Sequence, residues 1–114
     1  MGAIQDGRFD VVMTNPPFAG HISQPEILGG YDLAYKGDHT KNRRVNNLTR
    51  DVLFIERCVE LLRPGGRLAI VLPHNKVGGA QWGYLRRWLF ERMQVIAVLS
   101  LGRNTFRPHT SQKT

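Results

Sequence analysis

The segment Asn15-Pro16-Pro17-Phe18 combines residue types that could hold and activate an amine. The side-chain oxygen of Asn15 can accept a hydrogen bond from an NH₂ group, and the carbonyl oxygen of Pro16 can accept a second one. Two acceptors that hold both hydrogens turn the nitrogen lone pair out of conjugation with an attached ring, so the nitrogen becomes a better nucleophile. The prolines keep this backbone carbonyl in a fixed direction. The ring of Phe18 could stack on a planar base.

The position of this segment in the predicted fold suits a binding site. It directly follows residues 9–13, a short apolar run that predicts a strand buried on both faces. In an open parallel sheet, ligands bind beyond the carboxyl ends of the strands, which is where residues 15–18 would lie. The same two prolines could also serve only to end the strand, since proline cannot donate to a strand ladder.

Alternating strands and helices indicate a parallel α/β sheet. The predicted strands are 9–13, 67–72 and 95–101, and the predicted helices are 50–63 and 80–92. Residues 19–49 show no sustained periodicity and predict a long loop of the kind that is often functional or disordered. After the first helix, Pro64 cannot continue it, and Gly65 and Gly66 are expected to adopt the positive φ values of a turn into the next strand.

The first predicted helix has one apolar face. Thr49 or Asn47 is expected to cap it, and Asp51 lies near the positive end of the helix dipole. The residues expected to face inward are Val52, Ile55, Val59 and Leu62, whereas Glu56 and Glu60 are expected to point away. Cys58 is the single cysteine and is expected to be a buried structural thiol.

The charge balance favours a polyanionic partner, although a solvated basic surface would explain it equally well. Lysine and arginine total 16 against 9 acidic residues, which gives a net charge of +7. Much of the excess lies between Lys36 and Arg50, where Lys36, Lys41, Arg43, Arg44 and Arg50 stand against Asp38 alone. The four histidines are dispersed, so no metal site is expected. No signal peptide or apolar run of about 20 residues occurs, which predicts a cytoplasmic protein without a membrane segment.

Three segments carry a resemblance to a known family. "FDVVMTNPPF", "LFIERCVELLRPGGRLAIVLP" and "TFRPHTSQKT" occur in the order and spacing found in adenine-specific DNA methyltransferases, and the chain resembles the modification subunits of type I restriction systems. The resemblance implies a partial Rossmann-like methyltransferase fold, a parallel sheet with flanking helices. It also implies S-adenosylmethionine as cofactor, DNA as substrate, and separate specificity and restriction subunits as partners.

The resemblance assigns roles to individual residues. Asn15 and Pro16 would accept hydrogen bonds from the N6 amine of adenine, Pro17 would keep the turn rigid, and Phe18 would stack on the extruded base. Asn15 would also be the one residue of this chain beside the cofactor. Phe106 matches a second aromatic pressed against the base, although plain packing is an equal alternative. The target must leave the duplex because its N6 group is paired there. Phosphate contacts are expected from Lys41, Arg43 and Arg44.

The sequence departs from the family at the cofactor. The glycine-rich turn that holds most of S-adenosylmethionine is missing, because "GGRL" at 65–68 and "VGGAQ" at 77–81 do not give the G-x-G-x-x-G spacing. The chain is therefore expected to be a fragment of a catalytic domain, inactive alone and prone to self-association. Two other functions remain open: an RNA or protein amino-methyltransferase with the same motif, and a non-catalytic nucleic-acid-binding or assembly module.

Overall fold

The computed structural model describes residues 6–17, 20–35 and 44–102, which fall into two units divided after Val71. The first unit contains, in order, β1 (Phe9–Thr14), β2 (His21–Ile22), α1 (Pro25–Leu28), a 3-10 turn (Asp32–Tyr35), β3 (Leu48–Thr49), α2 (Arg50–Leu61) and β4 (Leu62–Ile70). The second contains α3 (His74–Gly78), a 3-10 turn (Ala80–Trp82) and α4 (Gly83–Arg92). Among the described residues of both units, no helix is long and apolar enough to span a bilayer.

The first unit is built on a parallel pair of strands. β1 and β4 are hydrogen-bonded in parallel, with Val11 opposite Arg67 and Thr14 opposite Ile70, and α2 lies between them in the chain. A parallel pair needs a crossover of this kind. The predicted α/β class with a parallel sheet and flanking helices is therefore confirmed.

β4 begins earlier than predicted because it contains a bulge. Phe9 pairs with Leu62 and Val11 with Arg67, so two positions along β1 correspond to five along β4. The strand predicted at 67–72 is thus the second part of β4, which ends at Ile70. Only one of the two bulge glycines has the expected positive φ, Gly65 at 82°.

Gly66 is required in this bulge for space. A Cβ atom there would lie 2.8 Å from the Leu62 side chain and 3.1 Å from the carbonyl oxygen of Phe9. We therefore expect Gly66→Ala to lower the free energy of unfolding by about 1–3 kcal/mol, as overpacking does. Urea unfolding followed by circular dichroism measures this change. Gly30→Ala is the control, since its nearest neighbour is in ordinary contact at 3.7 Å; equal midpoints for both variants would contradict the crowding.

Helix α2 carries the core of the first unit. Val52, Ile55 and Cys58 are buried on it, and burial raises the pKa of the Cys58 thiol, as expected for an inert structural cysteine. Thr49 occupies the N-cap position without a side-chain capping bond. The carboxylate of Asp51 instead accepts the backbone N–H of Val52 at 3.0 Å.

The prediction that β1 is buried on both faces is wrong. Val11 and Met13 are 54% and 77% exposed on one face of the strand. Among the described residues the sheet has only the two strands β1 and β4, and no element of that unit covers this face. An apolar run therefore indicated a strand without indicating how many of its faces are covered in this chain.

The described parts of the segment predicted as a loop at 19–49 contain four short regular elements. β2 and β3 pair antiparallel, with His21 opposite Thr49. Between them lie α1, which begins with a proline at its first position, and the 3-10 turn Asp32–Tyr35. Each of these elements has at most four residues, which is too short for a hydrophobic period to appear in the sequence.

The second unit differs from prediction at both ends. The helix predicted at 80–92 starts as a 3-10 turn and becomes α-helical at Gly83, and α3 precedes it. Trp82, Leu85 and Trp88 are buried there.

The strand predicted at 95–101 is wrong, because residues 93–102 form neither helix nor strand. Ile96 and Leu99 are 78% and 81% exposed. A strand needs a hydrogen-bonding neighbour, and no described strand pairs with this segment. These exposed apolar side chains suit the predicted self-association, which stays a prediction.

Candidate functional site

The Asn15-Pro16-Pro17 segment lies at the carboxyl edge of the parallel sheet. β1 ends at Thr14, and β4 ends beside it at Ile70. The backbone N–H of Val71 donates to the carbonyl oxygen of Thr14 at 3.2 Å, so the two strands stay joined up to the residue before Asn15. Ligands of open parallel sheets bind at this edge.

The three residues of the segment have different exposures. Asn15 is exposed, Pro16 is buried and Pro17 is half-buried. No hydrogen bond joins the Asn15 side chain to any residue in the described ranges. The amide oxygen can therefore accept a hydrogen from a ligand, while the buried Pro16 anchors the backbone beside it.

The remaining predicted site residues are only partly within the described ranges. Arg44 is described, and its side chain is exposed. Phe18, Lys41, Arg43 and Phe106 lie outside the described residues. Of the predicted site residues, the structure thus describes Asn15, Pro16, Pro17 and Arg44.

The chain that leaves this segment is held at the start of α2. Gly20 has a φ of 97°, and the backbone N–H of Arg50 donates to its carbonyl oxygen at 3.1 Å. The Arg50 side chain lies so close that a Cβ on Gly20 would be 2.7 Å from its Nε atom. Sequence reasoning placed Arg50 among the basic residues and at the start of the first predicted helix, but nothing local in the sequence links it to Gly20.

The carboxylate of Glu56 is buried and holds the other end of the segment 20–35. Oε2 and Oε1 of Glu56 accept the backbone N–H groups of Asp32 and Leu33, each at 2.8 Å. Glu56 is 2% exposed, and its burial raises the pKa of its carboxyl to about 7 although both N–H bonds act to lower it.

The prediction that Glu56 points away from the core is therefore wrong. Val52, Ile55, Glu56 and Val59 have the i, i+3, i+4, i+7 spacing of one helix face. This spacing predicts that Glu56 faces the core, whereas the charge of its side chain predicts that it faces solvent. A buried carboxylate needs partners, and here the two backbone N–H groups supply them.

The described residues do not form a pocket for S-adenosylmethionine, the cofactor that the resemblance implies. The turns after β1 and β4 contain prolines at 16–17 and 73 rather than a glycine-rich run. A groove of about 250 Å³ lies beside α2, and Arg50 and Arg57 line it together with apolar and aromatic side chains but no carboxylate. The guanidinium of Arg57 is already paired with Asp6 and Glu60, so this lining offers a cationic sulfonium no carboxylate of its own. Asn15 and Pro16 are the residues predicted to hold the amine, and this role stays a prediction.

Comparison with known proteins agrees with the resemblance seen in the sequence. "Type II restriction enzyme and methyltransferase RM.Eco57I" of Escherichia coli is 29% identical over 99 residues, which are 83% of this chain and 9% of that protein. "Type I restriction enzyme EcoEI methylase subunit" of Escherichia coli is 29% identical over 112 residues, which are 96% of this chain and 20% of that protein. No solved structure matches the chain.

This chain spans a fifth or less of the length of these two relatives. The model of the Eco57I restriction-modification methylase family matches residues 2–106, which is nearly the whole chain and includes the parallel sheet and the Asn15-Pro16-Pro17 segment. The chain therefore belongs to the Eco57I restriction-modification methylase family.

Proposed function

We propose that this chain supplies the target-binding part of a DNA methyltransferase that transfers a methyl group from S-adenosylmethionine to the N6 amine of adenine. The observation that carries the proposal is the exposed amide of Asn15, without a protein partner in the described ranges, at the carboxyl edge of the sheet. Membership of this chain in the Eco57I restriction-modification methylase family supports methyl transfer within a restriction-modification system.

The proposed chemistry uses two oxygens of this chain. Asn15 Oδ1 and the carbonyl oxygen of Pro16 each accept one hydrogen of the target amine, and the lone pair of its nitrogen then points out of the ring plane. These bonds strengthen as the nitrogen gains positive charge during methyl transfer, so they stabilise the transition state more than the bound substrate. Pro17 and the buried ring of Pro16 keep both acceptors in place between turnovers.

The adenine must be extruded from the duplex for this geometry, at a cost of a few kcal/mol. We assign the stacking that offsets this cost to Phe18 and to Phe106, which would be the second aromatic ring against the base. Lys41, Arg43 and the exposed Arg44 would bind phosphates, which would make DNA affinity fall with rising salt. A DNA substrate agrees with the cytoplasmic location that the sequence predicts.

The two relatives suggest two arrangements for the whole protein. One is named as a methylase subunit of a type I enzyme, and the other as a restriction enzyme and methyltransferase together. We favour the first, with separate specificity and restriction subunits, because its match covers 96% of this chain. Co-purification of the natural-length protein with separate specificity and restriction subunits tests this choice.

Product analysis tests the proposed reaction. The protein at its full natural length is incubated with tritiated S-adenosylmethionine and with DNA, RNA or protein substrates, and the products are separated as nucleosides or amino acids. We expect label in N6-methyl-2′-deoxyadenosine from DNA. Label in RNA or in glutamine side chains would replace the DNA assignment, and DNA binding without any transfer would indicate a non-catalytic binding module.

A further inference from the structure

The segment from Gly20 to Tyr35, which follows the amine-binding residues, is fastened to α2 by polar groups at two levels. At the start of the helix, Arg50 N–H donates to the carbonyl oxygen of Gly20, beside the short β2–β3 ladder. Two turns further along α2, Glu56 accepts the N–H groups of Asp32 and Leu33. The helix therefore fixes both ends of this segment.

The two N–H groups that Glu56 accepts begin a 3-10 turn. Asp32 and Leu33 are its first residues, and the first N–H groups of any helical turn lack partners within it. Glu56 satisfies both from a distance of 24 and 23 residues in the chain. Leu33 and Ala34 are fully buried just beyond, so their position depends on a correctly placed turn.

We propose that Glu56 is a positioning residue of the target-base site, and that its ionised form holds the segment between the Asn15-Pro16-Pro17 motif and the basic loop in its working position. This role rests on the proposed function. The segment carries the chain from the amine-binding oxygens to the residues assigned to phosphates. Its displacement would therefore weaken binding of the extruded base without touching the acceptor atoms themselves.

Only the ionised carboxylate offers two acceptor oxygens without a proton. A protonated carboxyl carries a hydrogen on one oxygen, which then opposes one of the two N–H donors. The charged groups around Glu56 are Arg57 and Glu60 on α2 and Asp32 on the facing segment, with the Tyr31 hydroxyl nearby. The guanidinium of Arg57 bonds with Asp6 and Glu60. Burial is the main cause that favours the protonated form of Glu56, and the two neighbouring carboxylates act in the same direction, so the anchor changes state close to neutral pH.

Hydrogen–deuterium exchange tests the anchor without any assay of activity. In the natural-length protein at pH 8, we expect Glu56→Gln to reduce protection of the Asp32 or Leu33 amide about tenfold, because the amide side chain offers only one acceptor. Glu60→Gln is the control on the same helix, since Glu60 is partly exposed and contacts Arg57. In the unaltered protein, protection corrected for intrinsic exchange should rise between pH 6 and 8. Protection that is unchanged by Glu56→Gln and by pH would overturn the proposal.

The pH profile of methyl transfer tests the positioning role. We expect kcat/KM of the unaltered protein and of Glu60→Gln to fall below an apparent pKa near 7, mainly through a higher KM for DNA. Glu56→Gln should be about tenfold less active at pH 8 and should lack this change. An identical profile in Glu56→Gln would overturn the role. If the unaltered protein transfers no methyl group, the proposed function fails, while the exchange experiment still decides whether Glu56 anchors the segment.

Discussion

Replacing Asn15 by alanine should reduce kcat/KM for DNA methylation by about 10²- to 10³-fold, the loss typical of removing one preorganised hydrogen-bonding group from a transition state. Asn15 is exposed at the sheet edge and bonded to no side chain or backbone in the described ranges. Its removal should therefore leave the fold intact. Non-specific DNA binding should change little, because phosphate contacts dominate it. Initial rates with labelled S-adenosylmethionine and gel-shift affinities measure the two effects.

Two further variants serve as controls for Asn15→Ala. Asn46→Ala removes the same side chain from another exposed position and should keep full activity. Asn15→Asp keeps an acceptor oxygen at the site and should recover most of the lost rate. If all three variants methylate DNA at the rate of the unaltered protein, the amine is held by other groups and the proposed role of Asn15 is wrong.

The sequence predicted elements well where a long pattern coincided with a clear boundary. Residues 9–13 were expected as a strand and form all but the last residue of β1, because Pro16 and Pro17 end the run. The helix expected at 50–63 is α2, Arg50–Leu61. It ends two residues early because Leu62 already pairs with Phe9, a contact between residues far apart in the chain.

Predictions failed where the outcome depends on a partner rather than on local pattern. Residues 95–101 are as apolar as a buried strand, yet in the described part of the chain no strand pairs with them and Leu99 is 81% exposed. The anchors of the 20–35 segment were missed for the same reason. Arg50 and Glu56 act on backbone groups more than twenty residues away, and only the folded chain shows the contact.

The Asn15-Pro16-Pro17 segment could be chosen as a candidate site from the sequence because the chemistry predicted for it is local. Asn15, Pro16 and Pro17 are adjacent, and their position after a strand follows from the same short stretch. Exposure of the Asn15 amide and burial of Pro16 required the structure. A role for Glu56 required more, since its spacing on α2 predicted burial whereas its charge predicted exposure.

Glu56 should make the chain less stable as pH rises, and this is the second large effect that we expect. Its carboxyl has an ordinary pKa of 4.5 and a pKa of about 7 in the folded chain, so the folded state binds the proton more tightly. The stabilisation from protonation is then complete below pH 4.5 and is lost as pH rises to about 7. A difference of this size corresponds to about 3 kcal/mol in the free energy of unfolding.

Urea unfolding of the chain at pH 4 to 8, followed by circular dichroism, measures this loss as the difference between the unaltered protein and Glu56→Gln. The difference should change by about 3 kcal/mol over this range, whereas Glu60→Gln, which lacks only a surface ion pair, should differ by at most about 1 kcal/mol. Global stability should thus fall with pH, whereas local protection of the Asp32 and Leu33 amides should rise, because an opening that breaks only these two bonds leaves Glu56 buried. A merely structural carboxylate bonded equally well in both protonation states would not produce these opposite trends. If both trends appear together, the fold gives up stability at neutral pH to keep a charged anchor beside the proposed target-base segment. A difference in unfolding free energy between the unaltered protein and Glu56→Gln that stays constant with pH would exclude this trade-off.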